Sequence, residues 1–354
     1  MKSNYLPITS VATIISGGTP KTSIPDYWDG NIPWLSVKDF NNDSKFVYST
    51  EKHITELGLK NSSTNLLKAD DIIISARGTV GEMAMIPFDM AFNQSCFGIR
   101  ANNEKILPHY LYYALKNNIQ TIKNSTHGSV FDTITLKDFD VIKIPVPDLE
   151  TQQKIIHTLS VLDQKIELNS QQNKTLFELG WQLYVKKFEH NDTVDKIELG
   201  NFFPVVTGKK DANASSENGK YPFFTCSKTI SKIDDYVFDS SAILLAGNGD
   251  FNVKFYRGKF DAYQRTYVLI PNNPKYLGFL YWAISYNLPK ITVSYRGSVI
   301  KFITKSNIEG FKIPFADNKF VPIFMKYLEK IENNNQNIEM LAGIRNTLLP
   351  KLMS

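Results

Sequence analysis

Two long segments of the chain carry hydrophobic residues at alternating three- and four-residue steps. The apolar positions of the first segment, which follows Pro147, include Leu159, Leu162, Ile166, Leu176 and Leu183. Those of the second, at the C-terminal end, include Leu328, Ile331, Ile338, Leu341 and Leu348. This spacing predicts two amphipathic helices of about 35 residues, each roughly 50 Å long. A helix of that length with one apolar stripe needs a partner, so we predict that the two helices pack antiparallel as a coiled coil.

Polar residues mark the start and the middle of these helices. Asp148 after Pro147 is a favourable N-cap, and Glu150 suits the exposed N–H groups of a first turn. Asn169 and Asn173 interrupt the first stripe, and the pair 334–335 interrupts the second. A buried asparagine fixes the register of paired helices, whereas an exposed one has no such role. The pattern is equally compatible with both.

Shorter hydrophobic runs of strand type precede each long helix. Residues 71–75 and 242–246 are such runs, and each leads into a glycine-containing loop, 76–81 and 246–250. Short helices are predicted around 110–115 and 279–284, and their aromatic residues recur at helical spacing and are expected in the core. The pattern therefore predicts mixed α+β modules with short strands and long polar loops.

The sequence contains an internal repeat. Residues 128–145 recur at 297–314 without a gap, and the apolar positions of the two long helices match at a separate constant offset, as Ile166 and Ile331 do. A period this long indicates a duplicated domain with pseudo-two-fold character. We predict a first module at 1–147, a central helix at 148–190, a second module at 191–315 and a C-terminal helix at 316–354.

Composition narrows the class of protein only slightly. The 354 residues carry a formal charge of +5, which permits a polyanionic partner without requiring one. The two cysteines suggest no disulfide framework, and no long apolar segment indicates a signal peptide or a membrane span. The chain is therefore expected to be cytoplasmic.

Motifs for catalysis and metal binding are missing from the sequence. There is no Asn-Pro-Pro-aromatic or Asp-Pro-Pro-aromatic tetrapeptide of the kind that amino-methyltransferases use, and no phosphate-binding GxxxxGK[ST] loop. The five histidines and two cysteines do not have the spacing of zinc ligands. We therefore predict a non-catalytic chain without a metal site.

Four repeated or terminal motifs carry a family resemblance. GSVFDTI at 128–134 and GSVIKFI at 297–303 each lead into Lys-Ile-Pro, PDLETQQKI at 147–155 opens the central helix, and NTLLPKLM occupies 346–353. In this order the chain resembles the specificity (S) subunits of type I restriction–modification systems over essentially its whole length. Two departures occur in the second copy: residues 315–320 lack the acidic-Gln-Gln opening, and the GGTP turn at 17–20 is replaced by TGKK at 207–210.

The resemblance implies a DNA-binding scaffold for a prokaryotic defence complex. Each module would be a target recognition domain that reads one half of a bipartite, asymmetric site in double-stranded DNA. The helices would set the spacer and dock two methyltransferase (M) subunits, and restriction/translocase (R) subunits would join this core. S-adenosylmethionine would bind the M subunit, ATP and Mg²⁺ the R subunit, and no cofactor this chain. The alternative is a stand-alone coiled-coil adaptor or regulator that binds DNA or protein.

Reading DNA requires donors and acceptors on exposed loops. In the first module the candidate DNA-binding residues are Lys21, Thr22, Lys38, Arg77, Thr79, Ser125, His127 and Ser129. In the second module they are Lys209, Lys210, Asn248, Gln264, Arg265, Tyr295, Arg296 and Ser298. For several of them a role without DNA contact remains open. Arg77 could be an ordinary surface arginine, His127 an ordinary loop histidine, and Tyr295 a residue that packs on its own module.

Overall fold

The computed structural model describes residues 4–40, 44–118, 133–293 and 302–354, which form two compact units. Unit one comprises residues 1–170 with 335–354, and unit two comprises residues 171–334. The helices are α1 (Glu56–Lys60), α2 (Pro108–Asn117), α3 (Leu136–Val141), α4 (Leu149–Tyr184), α5 (Leu277–Val293), α6 (Lys305–Glu309) and α7 (Val321–Leu352). Both long helices, α4 and α7, are divided between the units near their middle, so each unit contains one module and one part of each long helix.

Unit one contains a central sheet that is buried on both faces. Its strands are β1 (Asn4–Pro7), β2 (Ala12–Ser16), β3 (Trp28–Leu35), β4 (Lys52–Ile54), β5 (Leu66–Leu67), β6 (Ile72–Ser75), β7 (Met83–Met85), β8 (Met90–Phe92), β9 (Cys96–Ala101) and β10 (Lys143–Val146). They form the sheets β1-β10, β2-β9-β6-β7 and β4-β3-β8-β5. Because strand side chains alternate between faces, Ile72 and Ile74 pack with α2 while Ile73 packs with Leu35 and Phe92.

Unit two repeats this plan, with two strands that are longer than their counterparts. Its strands are β11 (Lys196–Glu198), β12 (Val205–Thr207), β13 (Tyr221–Phe224), β14 (Ser231–Ile233), β15 (Phe238–Ala246), β16 (Val253–Ala262), β17 (Thr266–Leu269) and β18 (Lys312–Pro314), of which β15 and β16 are the longer two. The order β12-β17-β15 corresponds to β2-β9-β6, and β11-β18 corresponds to β1-β10. Ile243 and Leu245 face the helices, whereas Ala242 and Leu244 face a smaller cluster with Phe224. The mixed α+β class and the internal repeat are confirmed.

The main difference between the modules lies in one strand. In unit two the ten-residue β16 pairs with β15 along its first part and with β13 at its end, which produces one six-stranded sheet. In unit one the corresponding stretch is divided into β7 and β8, with Pro87 between them. Proline lacks the N–H that a central strand needs, so the sheet is interrupted there.

The central long helix begins as predicted, next to Asp148, whereas the C-terminal one begins at Val321 and not at 316; the two helices pack antiparallel within each unit. The carboxylate of Asp148 accepts hydrogen bonds from the backbone N–H and the hydroxyl of Thr151, at 2.8 and 3.0 Å. In unit one, Arg345 Nη1 donates to Asp163 Oδ1 at 2.8 Å, while Leu349 packs in the same cluster as Leu159. Successive contacts therefore pair increasing positions on α4 with decreasing positions on α7, so the two helices run antiparallel.

In unit two the same orientation is fixed by polar residues. Asn334 is fully buried and donates through Nδ2 to Asn173 Oδ1 at 2.9 Å and Gln172 Oε1 at 3.3 Å. Asn169, its equivalent on α4, is also buried, whereas Asn335 is exposed. For Asn334 the structure thus favours the buried alternative, in which an amide inside the helix pair defines its register. Asn169 belongs to unit one, and its buried Nδ2 has no hydrogen-bond partner among the described residues.

The side of the first module that faces the long helices carries a half-buried polar cluster. Lys45 Nζ lies 2.9 Å from His109 Nδ1 and 3.3 Å from the Tyr113 hydroxyl, and 4.3 Å above the centre of the Tyr113 ring. Lys116 lies 3.3 Å from the Tyr112 hydroxyl. Burial lowers the pKa of Lys45 to about 8, although Asp163 opposes the shift, and burial likewise lowers the pKa of Lys116 to about 8.

These lysines are expected to make stability depend on pH. Between pH 8 and 10.5 the unfolded chain binds more protons at these lysines than the folded chain, so their contribution to the free energy of unfolding rises with pH. Lys45→Met removes one of the two charges, so its advantage in thermal midpoint over the wild type should be largest below pH 8 and shrink towards pH 9.5. Parallel melting curves in matched buffers measure that difference, and a difference independent of pH would contradict the assignment.

No helix within the described ranges combines the length and apolar character needed to span a bilayer.

Candidate nucleic-acid interface

In the first module, four loops meet at one end of the central sheet. Strand pairing aligns Ser16 at the end of β2 with Phe97, and Ser75 at the end of β6 with Cys96. Backbone hydrogen bonds join Ala76 N to Ser95 O at 2.7 Å and link Asn93 to the end of β3. Loops 17–24, 36–39, 76–81 and 93–95 therefore form one continuous surface, to which we refer as the first loop end.

The structure places five candidate residues of the first module on this loop end, with exposed side chains. They are Lys21, Thr22, Lys38, Arg77 and Thr79. Arg77 precedes Gly78, whose φ of +80° belongs to the left-handed region that favours glycine. The turn projects the guanidinium from the sheet end, where it can reach a base edge or a phosphate.

The loop that carries Lys21 and Thr22 is held in place by hydrogen bonds and a close backbone contact with residues that were not among the candidates. The Thr19 hydroxyl donates to the side chain of Gln94. Trp34 Nε1 donates to Gly18 O at 3.1 Å, and a Cβ on Gly17 would lie only 2.0 Å from Asn93 O. Loop 17–22 is thus attached to the turn after β8, which fixes the backbone from which the two candidate side chains project.

The second module gathers its loops by the same backbone bonds. Gly247 N donates to Arg265 O at 2.9 Å, and Gln264 N donates to Lys210 O at 2.9 Å. A Cβ on Gly208 would lie 1.7 Å from Ala262 O, so the glycine required for close approach persists although GGTP is replaced by TGKK. Loops 207–211, 246–250 and 263–265 form the second loop end.

Arg77 and Asn248 occupy equivalent positions on the two loop ends. Each is followed by a glycine of positive φ, +80° at Gly78 and +67° at Gly249. In each, the preceding carbonyl accepts a backbone bond from the segment before the short helix: Ile134 N to Ala76 O at 3.0 Å, and Ile303 N to Gly247 O at 2.8 Å. The same backbone arrangement thus presents different side chains.

The side chains of the other second-module candidates are exposed, and one of them is already paired. Lys209, Lys210, Gln264 and Arg265 are exposed, while Asn248 is half-buried. Gln264 Nε2 donates to Asp211 Oδ1 at 2.6 Å, as Gln94 pairs with Thr19 in the first module. The structure therefore gives Gln264 a role in holding its loop, which leaves its second N–H and its carbonyl oxygen for a contact with DNA.

A groove of about 470 Å³ adjoins the second loop end. Among the described residues it is lined by Gly247, Gln264, Arg265, Tyr267, Phe302, Ile303, Thr304 and Lys305. Close to this loop end, Lys254 Nζ donates to Ser227 O at 2.6 Å, and burial lowers its pKa. Lys254 and Lys305 add positive charge that the sequence patterns did not single out, because neither lies in a turn motif.

Six candidates lie outside the described residues. They are Ser125, His127, Ser129, Tyr295, Arg296 and Ser298. Within the described ranges, no group of three or more His, Cys, Asp or Glu side chains has a metal-binding arrangement.

Two copies of one α+β module, each presenting polar and basic loops at one sheet end and each packed on long antiparallel helices, define a class of duplicated DNA-recognition proteins. The family model for the type I restriction modification DNA specificity domain matches residues 2–178 and again residues 191–342. The chain belongs to this family, and its function is DNA recognition as a type I restriction–modification specificity subunit.

Individual relatives agree with this assignment. The type I restriction enzyme MjaIX specificity subunit of Methanocaldococcus jannaschii is 27% identical over an alignment of 397 residues, covering 98% of this chain and 91% of the relative. The EcoDI specificity subunit of Escherichia coli is 50% identical over 152 residues, covering 42% of this chain and 34% of the relative. The crystal structure of a type I S subunit from M. genitalium covers 100% of this chain and 96% of its own, with a TM-score of 0.60 and 18% identity, which shows a shared fold.

Proposed function

We propose that each module reads one half of a bipartite, asymmetric target in double-stranded DNA. The observation that carries this proposal is the equivalence of Arg77 and Asn248 on matching turns. Arginine pairs best with guanine and asparagine with adenine in the major groove, so one backbone arrangement with two side chains suits two different half-sites. The neighbouring lysines would contact phosphates and set the position of the duplex without reading sequence.

The long helices would dock the methyltransferase subunits through a second apolar stripe. In unit one the α4 residues Leu159 and Ile166 are buried, whereas Val161 is 51% and Leu168 is 47% exposed. At about 100° per residue, Val161 and Leu168 lie on the face opposite the buried pair. Met340 on α7 is 57% exposed, so both helices present apolar side chains that packing within the unit does not use.

The candidate helix-packing residues would form the inner faces of the two helices, and their burial supports this. Leu159, Ile166 and Leu328 are buried, and Leu162, Leu176, Leu183, Ile331, Ile338, Leu341 and Leu348 are half-buried. We assign these inner residues to the pairing of the helices and to the spacing of the half-sites, and the outer stripe to the partner subunits.

The chemistry would then belong to the partners. S-adenosylmethionine would be held by two methyltransferase subunits that methylate adenine at N6. ATP and Mg²⁺ would be used by restriction subunits that join the same core. This chain would supply the position of the target relative to those subunits, since its loop ends offer donors and acceptors for DNA.

A genome-wide map of N6-methyladenine in the native host, with and without this gene, tests the proposal. The expected result is the loss of one split, asymmetric motif on deletion, because both halves depend on the same chain. Loss of a continuous, unsplit motif would contradict the two-module reading. An unchanged map in cells that express the protein would instead favour the adaptor alternative, in which no methyltransferase depends on this chain.

A further inference from the structure

A buried three-residue contact joins the first module to both long helices. The Tyr113 hydroxyl on α2 donates to Asp163 Oδ2 on α4 at 2.6 Å, and Arg345 Nη1 on α7 donates to the other oxygen of Asp163 at 2.8 Å. The side chains of Arg345 and Asp163 are only 16% and 9% exposed. We refer to Tyr113, Asp163 and Arg345 as the polar junction.

At the corresponding place, the second module contacts its helices mainly through apolar side chains. Trp282 on α5 is fully buried and lies against Gly180 of α4, where an added Cβ would be 2.2 Å from Trp282 Cε2. Trp282 Nε1 donates to Phe177 O at 2.9 Å, and Leu328 of α7 belongs to the same apolar cluster. We refer to Trp282, Gly180 and Leu328 as the aromatic junction.

The two junctions occupy the same positions in the internal repeat. The aromatic runs 110–115 and 279–284 align so that Tyr113 corresponds to Trp282. The offset that aligns Ile166 with Ile331 also aligns Asp163 with Leu328, and Gly180 with Arg345. All three members of the junction therefore differ between the two halves, although many residues around them repeat.

These differences make the two sets of residues mutually incompatible. An indole in place of Tyr113 would meet Arg345 where Trp282 meets a glycine, and it would offer no hydroxyl to Asp163. A tyrosine in place of Trp282 would lose the indole N–H that donates to Phe177 O, and Leu328 and Gly180 would offer its hydroxyl no side-chain acceptor of the kind that Asp163 provides to Tyr113. A buried polar group without a partner is costly, and so is a buried ion pair that has lost one member.

We propose that each junction accepts only its own module, and that Asp163 and Arg345 are positioning residues that hold the first module in its reading orientation. This rests on the proposed function, since the reading orientation is the one in which the module meets its half-site. Directional hydrogen bonds to one carboxylate fix the angle between α2, α4 and α7 more tightly than apolar contact does. Asp163 would thus affect DNA reading without touching DNA.

Exchange of the junction residues in the full-length chain tests the proposal. Tyr113→Trp alone, and Asp163→Leu with Arg345→Gly, should each lower the thermal midpoint by roughly 5 °C or more, because each leaves buried polar groups unpaired. The triple variant reproduces the aromatic junction in unit one, and it should recover at least half of the summed loss.

A second tyrosine of α2 supplies the matched control. Tyr110 is 1% exposed, and its hydroxyl donates to Pro145 O at 3.0 Å, away from the junction. Tyr110→Trp should therefore gain nothing from Asp163→Leu with Arg345→Gly. Losses that simply add in the triple variant, or equal recovery of Tyr110→Trp, would overturn the matching of module and junction.

The methylation map of the same variants measures the positioning role. Tyr113→Trp should raise several-fold the share of methylated sites that deviate in one half of the motif, and the triple variant should restore it. Equal relaxation of both halves, or none, would refute the positioning role. A wild type that produces no split motif would contradict the proposed function instead, and the thermal midpoints would still decide whether module and junction are matched.

Discussion

A chain that carries Val161→Asp or Met340→Asp is expected to lose at least ten-fold in recovery of its methyltransferase partner while keeping its own stability. Both side chains are more than half exposed, so a carboxylate there remains solvated in the free chain. In a complex the same carboxylate would be buried in an apolar interface without a partner, at a cost of several kcal/mol. Co-purification with a tagged partner subunit, together with a melting curve of the free chain, gives both quantities.

The adjacent inner residues provide the matched comparison. Leu162 and Leu341 are half-buried, so aspartate at either position places a charge partly inside the unit. Leu162→Asp and Leu341→Asp should therefore lower the thermal midpoint by roughly 5 °C or more, and should lose the partner only as a consequence. If the outer variants also melt early, or still recover normal amounts of partner, the outer stripe is not the docking face.

Arg77→Lys is expected to relax one base position in one half of the target and to leave the other half unchanged. Lysine keeps the charge but loses the planar fork that pairs with a guanine edge, and each such pair is worth about 1–3 kcal/mol of discrimination. The share of off-motif methylation at that position should therefore rise about ten-fold or more. Asn248→Ala should have the corresponding effect in the other half.

The pattern of change separates reading from simple attraction. If Arg77 contacts only phosphate, Arg77→Lys will weaken binding to all sequences alike and relax no base position. Lys143→Ala serves as the control, because Lys143 is an exposed residue of β10 and belongs to none of the loops that form the first loop end. Relaxation of both halves by one substitution would contradict the assignment of one module to each half-site.

Most of the fold prediction came from the internal repeat and the helical periodicity. Local patterns identified the two long helices, the Asp148 cap and the alignment of 110–115 with 279–284, and each reflects forces between near neighbours in the chain. The merging of two sheets through β16 was not predicted. It depends on the partners that a strand finds across a sheet, and in the first module Pro87 lies at the interruption, where it offers no N–H.

The candidate site was predicted only as a set of loops. Turn residues showed where exposed polar side chains would lie, and ten of those candidates fall on the two loop ends. Of the two glutamines that hold the loops, Gln94 was missed, and Gln264 was predicted to contact DNA and not to hold its loop. Their bonds to Thr19 and Asp211 span 75 and 53 residues, and no local pattern records such a pairing.

The duplication and the helical periodicity are visible in the sequence, so the sequence alone predicts two similar modules and two long helices. How each module attaches to the long helices depends on contacts between residues far apart in the chain. Asp163 joins Tyr113, 50 residues away, to Arg345, 182 residues away. In the sequence Tyr113 is one residue of an aromatic run expected in the core, and no pattern singles out Asp163 or Arg345. Burial turns them into a specific contact, because a carboxylate removed from water requires those two donors.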